Sequence, residues 1–519
     1  MTKIQMILIW RISLAALGLL IAVGAQAAGP WYVATNGVDS NDGTSWAVPY
    51  LTISNALTNA SSGGDTIWVS NGVYTITAMV SNPAAKKFNI CAWSTNPANT
   101  VLLGPGSNDT LNFRGVWMSG TGSLQGFTVT NFYLTNENFG AGVYCSAGLI
   151  SNCVIAGNIV GYPVANASGN IYAYGGGIYL SGGVLENCDI IGNSIYPANY
   201  DSGGGEVYMT SSRIKNCRIM GNVIGGSLNG AGVYAPSSSA IIQDSIIANN
   251  TGGNSAGIGT MHGVIVSNCQ IFANSCKGVG GISAYGKDAA DAILIERCVI
   301  SNNVGSWTVG GISVYGATTN VLISQCAIVS NYCYTKGIGG LEVQNKVVNF
   351  RIRNCLVANN RARFESWGWG GGGGAGMNVT ATNALIENCT IVSNTLTGGN
   401  GAGLYASNAV RVVNSIIYHN SGVTTSNFYD AAGNCTSSNS CIAPLPTLGT
   451  ANTAADPQLV SKDTGNFRLN NNSPCLNTGM NYEWMTGAFD FDGRKRIRYG
   501  TVDMGAYERI HSGTTYGFR

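Results

Sequence analysis

One pattern, aliphatic-x-x-Cys-x-Ile-x-x-Asn, recurs ten times through the middle of this chain, and it constrains the fold more than any other feature. A complete copy reads Leu385-Ile386-Glu387-Asn388-Cys389-Thr390-Ile391-Val392-Ser393-Asn394. The Cys position falls at Cys153, Cys188, Cys217, Cys269, Cys298, Cys326, Cys355 and Cys389, with Ser245 and Ser415 in two more copies. Two residues later every copy carries Ile or Val, from Ile155 to Ile417. Five residues later every copy carries Asn: Asn158, Asn193, Asn222, Asn250, Asn274, Asn303, Asn331, Asn360, Asn394 and Asn420. From position 153 to 415 nine intervals span 262 residues, about 29 residues each. A unit this short cannot bury its own apolar face, so copies must stack on one another as a solenoid.

A second motif sits between the copies, as in Gly176-Gly177-Ile178-Tyr179, Gly280-Gly281-Ile282-Ser283-Ala284-Tyr285 and Gly310-Gly311-Ile312-Ser313-Val314-Tyr315. Its period-two alternation reads as strand rather than helix. Each repeat therefore holds at least two short strands joined by Gly- and Asn-rich corners. Leucine-rich repeats share the aliphatic and Asn spacing, but they need a Leu-rich convex segment where this chain is Gly-rich. The pattern predicts an all-β, right-handed parallel β-helix of about a dozen coils, with a short helix in its N-terminal cap. Coils about 4.8 Å apart bring equivalent residues together, and each inward Ile contributes roughly 1.5–3 kcal/mol by burial. The repeated Asn is expected to take the left-handed conformation at a corner and to bond its equivalent one coil away.

Fifteen cysteines in an exported chain raise the question of disulfides. Eight occupy one inward repeat position, where free Cys serves as a small buried hydrophobe. Ser replaces it in two coils, so the column is expected to stay reduced. Cys435 and Cys441, in one short loop, are the better disulfide candidates. No Cys or His pair has zinc-ligand spacing, and there are three His. No metal and no cofactor is implied.

Export is suggested by Lys3 and Arg11, the apolar run Ile12 to Val23 and the small-x-small site Ala25-Gln26-Ala27, which predicts cleavage after Ala27. The expected location is secreted or cell-surface. No later segment is apolar enough to span a bilayer. Removing residues 1–27 leaves 24 basic and 24 acidic residues. Such a balance lacks the basic footprint of a nucleic-acid binder. Charged residues make up 10% of the chain against 45% hydrophobic, so a packed core rather than disorder is expected. The expected divisions are a signal peptide at 1–27, an N-terminal cap and first coils at 28–135, repeated coils at 136–425, and final coils with a capping module at 426–519.

The segment Trp31-Tyr32-Val33-Ala34-Thr35-Asn36-Gly37-Val38-Asp39-Ser40-Asn41-Asp42-Gly43-Thr44-Ser45-Trp46 resembles the opening cap of bacterial pectate-lyase-like β-helix proteins. Thr52-Ile53, Ala56-Leu57, Gly64-Asp65-Thr66-Ile67-Trp68-Val69, Gly72 and Tyr74 continue the likeness. It implies a cap helix at about Thr52–Ala60. The tail, with Asp456-Pro457-Gln458-Leu459, Ser473-Pro474-Cys475-Leu476-Asn477-Thr478-Gly479, Asp490-Phe491-Asp492-Gly493 and Asp503-Met504-Gly505-Ala506-Tyr507-Glu508, resembles a choice-of-anchor module. Ile271-Phe272-Ala273-Asn274 followed by Gly280-Gly281-Ile282 is similar to the repeats of polymorphic outer-membrane proteins. The first resemblance implies polysaccharide binding or lyase-like cleavage, and the last a non-catalytic surface adhesin.

Function is expected on outward positions. Alternation points Tyr144, Tyr179, Tyr208, Tyr234 and Tyr405 outward, four of them in successive coils if Glu206 is read as an inserted residue. Stacked tyrosines would form a flat aromatic strip for sugar faces, or serve as cross-strand packing. The turn after each Asn varies most, and its most unusual version holds Arg361, Arg363, Phe364, Trp367 and Trp369 before five glycines. These cations and aromatics would suit an acidic sugar, so the expected partner is a polysaccharide or cell-surface glycan, contacted by Tyr144, Tyr179, Tyr208, Tyr234, Arg361, Arg363, Trp367 and Trp369. An elimination reaction needs a base and a cation. Lys277, Lys336 and Arg363 lie in the variable turns, but no catalytic constellation stands out. Glu186 and Lys215 occupy the same outward position in adjacent coils and read as a surface ion pair. Acids in the coils (Asp189, Asp201, Glu206, Asp244, Glu342) are scattered, which argues against paired-carboxylate hydrolysis. Asp39-Ser40-Asn41-Asp42-Gly43 reads as a capping turn before it reads as a calcium loop.

Overall fold

The computed structural model describes residues 29–509, apart from 61–63, 83–85, 108–111, 136–138, 162–172, 197–202, 227–228, 238–239, 336–337 and 364–372. The signal-peptide reading of residues 1–27 therefore lies outside the described residues. Four sheets of 16, 14, 11 and 13 strands form the walls, named sheets I, II, III and IV in the order one coil visits them. In one coil Leu149–Ser151 lies in sheet I, Val154–Ala156 in sheet II, Ile159–Val160 in sheet III and Ile178–Leu180 in sheet IV. The next coil re-enters sheet I at Val184–Glu186. Neighbouring strands run parallel and in register, with Leu149 opposite Val184, Val154 opposite Asp189 and Val143 opposite Ile178. The chain is thus a parallel β-helix of about a dozen turns.

Single residues of positive φ turn the corners. Between sheets I and II these are Asn152, Asn187, Asn216, Asp244, Asn268 and their successors, each just before the Cys position. Between sheets II and III they are Gly157, Gly192, Gly221, Asn249, Ala273, Asn302 and so on, each just before the repeated Asn. The expectation that the repeated Asn itself is left-handed is therefore corrected. Its predecessor bends the chain, which leaves the Asn side chain free to point inward.

Those side chains form a continuous amide ladder. Asn158 Nδ2 donates to Asn193 Oδ1 at 3.0 Å, and the same bond runs coil by coil to Asn394 and Asn420 at 2.9 Å. Each Oδ1 also accepts the preceding Asn backbone N–H, as Asn303 Oδ1 does from Asn274 at 3.1 Å. The second Nδ2 proton reaches a carbonyl one coil back, Asn303 to Ile271 at 2.9 Å. Every amide is buried, and every amide polar atom is used, as burial of such groups demands.

The Gly-Gly motif is the other half of this device. A Cβ on Gly257 would stand 2.4 Å from the Gly281 carbonyl and 3.3 Å from Asn274 Nδ2. Gly142, Gly177, Gly232, Gly281, Gly340, Gly376 and Gly403 face their ladder amides in the same way. Glycine is kept there because the ladder leaves no room for a side chain.

Glu206 stands in that glycine column, opposite Gly177. It is not an inserted residue. Between Tyr174 and Ile178 lie three residues, whereas between the matching Gly204 and Val207 lie two, so this coil is one residue shorter. Glu206 O accepts both Gly177 N–H and Ile178 N–H. Its side chain fills the vacated space: a Cβ on Gly176 would meet Glu206 Oε2 at 1.9 Å and Ile195 Cγ1 at 3.0 Å.

The Cys column is inward, buried and free of disulfides. Each thiol donates to the carbonyl two residues back (Cys188 Sγ to Glu186 O, 3.2 Å) and can accept an N–H from the previous coil (Cys153 N to Cys188 Sγ, 3.4 Å). Ser245 makes both bonds, to Gln243 O at 2.6 Å and from Cys217 N at 3.1 Å, which explains the exchange. The Cys435–Cys441 disulfide expectation is corrected. Cys435 belongs to the core inside the coils, whereas Cys441 packs outside sheet II, so the wall separates them.

The ends are closed differently. At the start, helix Ile53–Asn59 is capped by Thr52, and Asp39 accepts the N–H groups of Leu51 and Thr52, confirming a capping turn. At the other end the chain leaves the stack after Thr453 and pairs Leu459–Ser461 antiparallel with Asn466–Leu469. It then lies against the outer face of sheet II, where Phe467, Leu469, Met504 and Tyr507 cover Leu356, Val392 and Ile416. Corner residues of five successive coils donate to its carbonyls: Gln325 and Asn354 to Phe489, Asn388 to Asp503, Asn414 to Met480 and Asn439 to Thr478. No described helix is long and apolar enough to cross a membrane.

Candidate functional site

Sheet IV carries one outward column whose chemistry changes along the rod. In register it reads Trp117, Tyr144, Tyr179, Tyr208, Tyr234, Gly259, Ser283, Ser313, Glu342, Asn378, Tyr405 and Tyr429. Four of the sequence-predicted residues, Tyr144, Tyr179, Tyr208 and Tyr234, are thus brought together. Tyr179 stacks on Tyr144 at 5.0 Å and 9°, and on Tyr208 at 4.7 Å and 7°. Rings repeated every 4.8 Å or so cannot lie flat side by side, so they stand up and stack. Each pair contributes about 0.5–1.5 kcal/mol beyond burial. The strip therefore presents ring edges and hydroxyls, not the open row of faces expected from the sequence. Phe139 stacks on Tyr174 at 5.6 Å, Tyr174 reaches Tyr208 at 4.5 Å, and the Arg114 guanidinium lies 5.1 Å from the Tyr144 ring. Burial raises the phenol pKa values of Tyr179 and Tyr208, and pushes that of Tyr234 to about 12. The hydroxyls stay protonated donors at neutral pH.

The column breaks at Gly259. Ser255 folds over it, close enough that a Cβ there would sit 2.5 Å from Ser255 Oγ, and that oxygen accepts Gly230 N–H at 2.7 Å. Where a further tyrosine would stand, a hollow of about 260 Å³ opens instead. Tyr234 forms one wall, its hydroxyl donating to Met261 Sδ at 2.7 Å. Tyr285 and Tyr315, two residues further along their strands than Ser283 and Ser313, form the other, with rings 5.0 Å apart. Asn229, Ser255 and Ser283 add polar groups, and Ser283 Oγ lies 3.3 Å from Tyr315 Oη. The nine lining residues include no lysine, arginine or carboxylate. Past the hollow, Ser313 Oγ donates to Glu342 Oε2 at 2.8 Å, and Gln344 adds a second bond at 3.2 Å.

The other sequence candidates stand elsewhere. Arg361 and Arg363 are exposed on strand Arg361–Arg363 of sheet III, on a different wall from the tyrosines. Trp367, Trp369 and Lys336 lie outside the described residues, and Lys277 is exposed in a turn after sheet III. Glu186 and Lys215 do pair, at 3.5 Å. Sequence reasoning missed Gly259, Tyr285 and Tyr315. The signal available was the loss of Tyr from a recurring Gly-x-Tyr position, which reads Gly257-Ile258-Gly259 in this coil.

A larger hollow of about 340 Å³ lies in the C-terminal module. Two of its cations are already engaged: Arg468 binds Asp492 through two 2.6 Å bonds, and Arg494 lies 2.9 Å from the same carboxylate. It offers less to an incoming ligand than the hollow on sheet IV.

Residues 114–290 match the family model described as right handed beta helix region. No curated protein matches the sequence. Among solved structures, the chain is similar to pectate lyase Pel9A (15% identity, 94% of this chain and 98% of that one, TM-score 0.31). It is similar to XylC in complex with xylose (9% identity, 93% and 99%, TM-score 0.36). It is also similar to the A-module of the Azotobacter vinelandii mannuronan C-5 epimerase AlgE6 (14% identity, 75% and 91%, TM-score 0.31). Scores this low assign neither substrate nor chemistry to this chain.

Proposed function

We propose that this protein is an exported β-helix that binds a polysaccharide or cell-surface glycan along sheet IV, with the hollow at Gly259 as the principal sugar subsite. The observation that carries the reading is the break in the tyrosine column. It leaves a hollow walled by the buried Tyr234 and the half-buried Tyr285 and Tyr315, beside a few hydroxyl and amide groups. Ligand sites are built in this way, from apolar and aromatic walls with sparse, placed polar groups. The lining holds no cation, so a uronate carboxylate would meet no counter-charge there, and neutral sugars fit better. A lyase would need a base and a cation beside the bound sugar, and the lining residues supply no cation. The reading is therefore binding rather than cleavage, in keeping with a surface adhesin.

The test is retention of the purified protein on a panel of immobilised neutral and acidic polysaccharides, with and without Tyr285→Ala. At least one neutral chain should retain the wild type, and Tyr285→Ala should reduce retention about tenfold, the cost of losing roughly 1.4 kcal/mol of contact. Failure to bind any glycan, or unsaturated uronate products absorbing in the ultraviolet, would overturn the reading.

A further inference from the structure

The corner between sheets IV and I gathers three side chains that the glycan reading does not use. His262 follows strand Ile258–Thr260, and Asp288 and Asp291 sit in the next coil's turn between Ile282–Gly286 and Ala292–Glu296. His262 Nδ1 lies 3.3 Å from Asp291 Oδ2 and 3.8 Å from Asp288 Oδ2. One donor atom from each residue falls within 4.8 Å of the other two.

A ring nitrogen carries at most one proton, so it can satisfy one carboxylate at a time. Two carboxylates converging on that one nitrogen leave negative charge that a cation would neutralise. The spacing suits coordination: ligands about 2.0–2.2 Å from a tetrahedral metal lie roughly 3.4 Å apart. The turn is also braced before any ion arrives. Asp288 N–H donates to Asp291 Oδ2 at 3.0 Å, and Thr318 Oγ1, from the following coil, donates to Asp291 O at 2.7 Å. Asp291 is nearly buried at 7% side-chain exposure while Asp288 is 67% exposed, so the cluster has a fixed floor and an open side.

We propose that His262, Asp288 and Asp291 form a binding site for a divalent transition metal of the zinc class, with the remaining coordination position open to solvent or ligand. A mixed imidazole and carboxylate set of three fits zinc. Calcium, which takes six to eight oxygens, would find too few ligands. The site stands independently of the glycan reading.

The experiment is calorimetric titration of the metal-free full chain with Zn²⁺, followed by Co²⁺ as an absorbing probe. Expected are one Zn²⁺ per chain, no displacement by excess Ca²⁺, and a Co²⁺ visible band without the near-ultraviolet band of thiolate ligation. Asp288→Asn, at an exposed position that leaves the fold intact, and His262→Ala should each weaken binding by about 10- to 100-fold or more. Absence of Zn²⁺ binding, retention of full affinity in both variants, or a thiolate band would overturn the proposal.

Discussion

At the residue scale, most side chains do the same job in every coil, and the informative ones depart from it. Glu206 is fully buried in a small apolar core with Ile195 nearby, and neither carboxylate oxygen has a hydrogen-bond partner among the described residues. Burial pushes its pKa well above the usual glutamate range. The stability tied to its neutral form is complete below the ordinary glutamate pKa and is lost as pH rises through the raised value. Glu206→Gln should therefore stabilise the protein at pH 7–8 and flatten its stability between pH 5 and 8, as read from urea midpoints. Unchanged midpoints would mean that the carboxyl is not buried as an uncharged acid. Asn303 shows the opposite case. Asn303→Ala removes the acceptor of two Asn274 donors and the donor to Ile271 O. With about 1–3 kcal/mol for each buried group left unsatisfied, a loss of several kcal/mol in denaturant unfolding is expected. The ladder was legible in the sequence because ten coils repeat it. Glu206 was not, because a one-residue shortening reads as an insertion until the strands are paired.

At the scale of elements, sheet IV and the ladder depend on one another through the glycine column. Gly257→Ala would place a methyl 2.4 Å from the Gly281 carbonyl and 2.9 Å from Ile271 Cγ2. Overpacking of this kind costs about 1–3 kcal/mol or more, and the expected result is faster hydrogen exchange of the neighbouring sheet IV amides. The strands and inward faces followed from alternation alone. The stacking of the tyrosines did not, because alternation gives the side of the sheet and not the tilt of a ring. The hollow was hidden for a related reason: it is made by what Gly259 lacks and by a Ser255 side chain folding across it. The His262 cluster escaped notice because its members are 26 and 29 residues apart and meet only through stacking of adjacent coils.

At the scale of the molecule, the C-terminal segment is seated on the side of the rod across five coils, so it shields apolar surface there. Deleting residues 456–519 should uncover Leu356, Val392 and Ile416. The shortened protein is expected to bind a hydrophobic dye and to melt lower, and an unchanged melting curve would refute the seating described. Nothing in the tail's motifs indicated where it would dock, since its partners are corner residues spread from Gln325 to Asn439. On the proposed function, a gap in an otherwise stacked aromatic column is what this rod offers to a glycan. Gly259→Tyr tests it most directly, because it continues the column and fills the gap; it is made together with Ser255→Ala, since a Cβ at position 259 would otherwise sit 2.5 Å from Ser255 Oγ. Calorimetric titration with a neutral oligosaccharide retained by the wild type should show binding that this variant loses and that Ser255→Ala alone, the control for folding, retains. Binding of equal affinity in the filled variant would contradict the account.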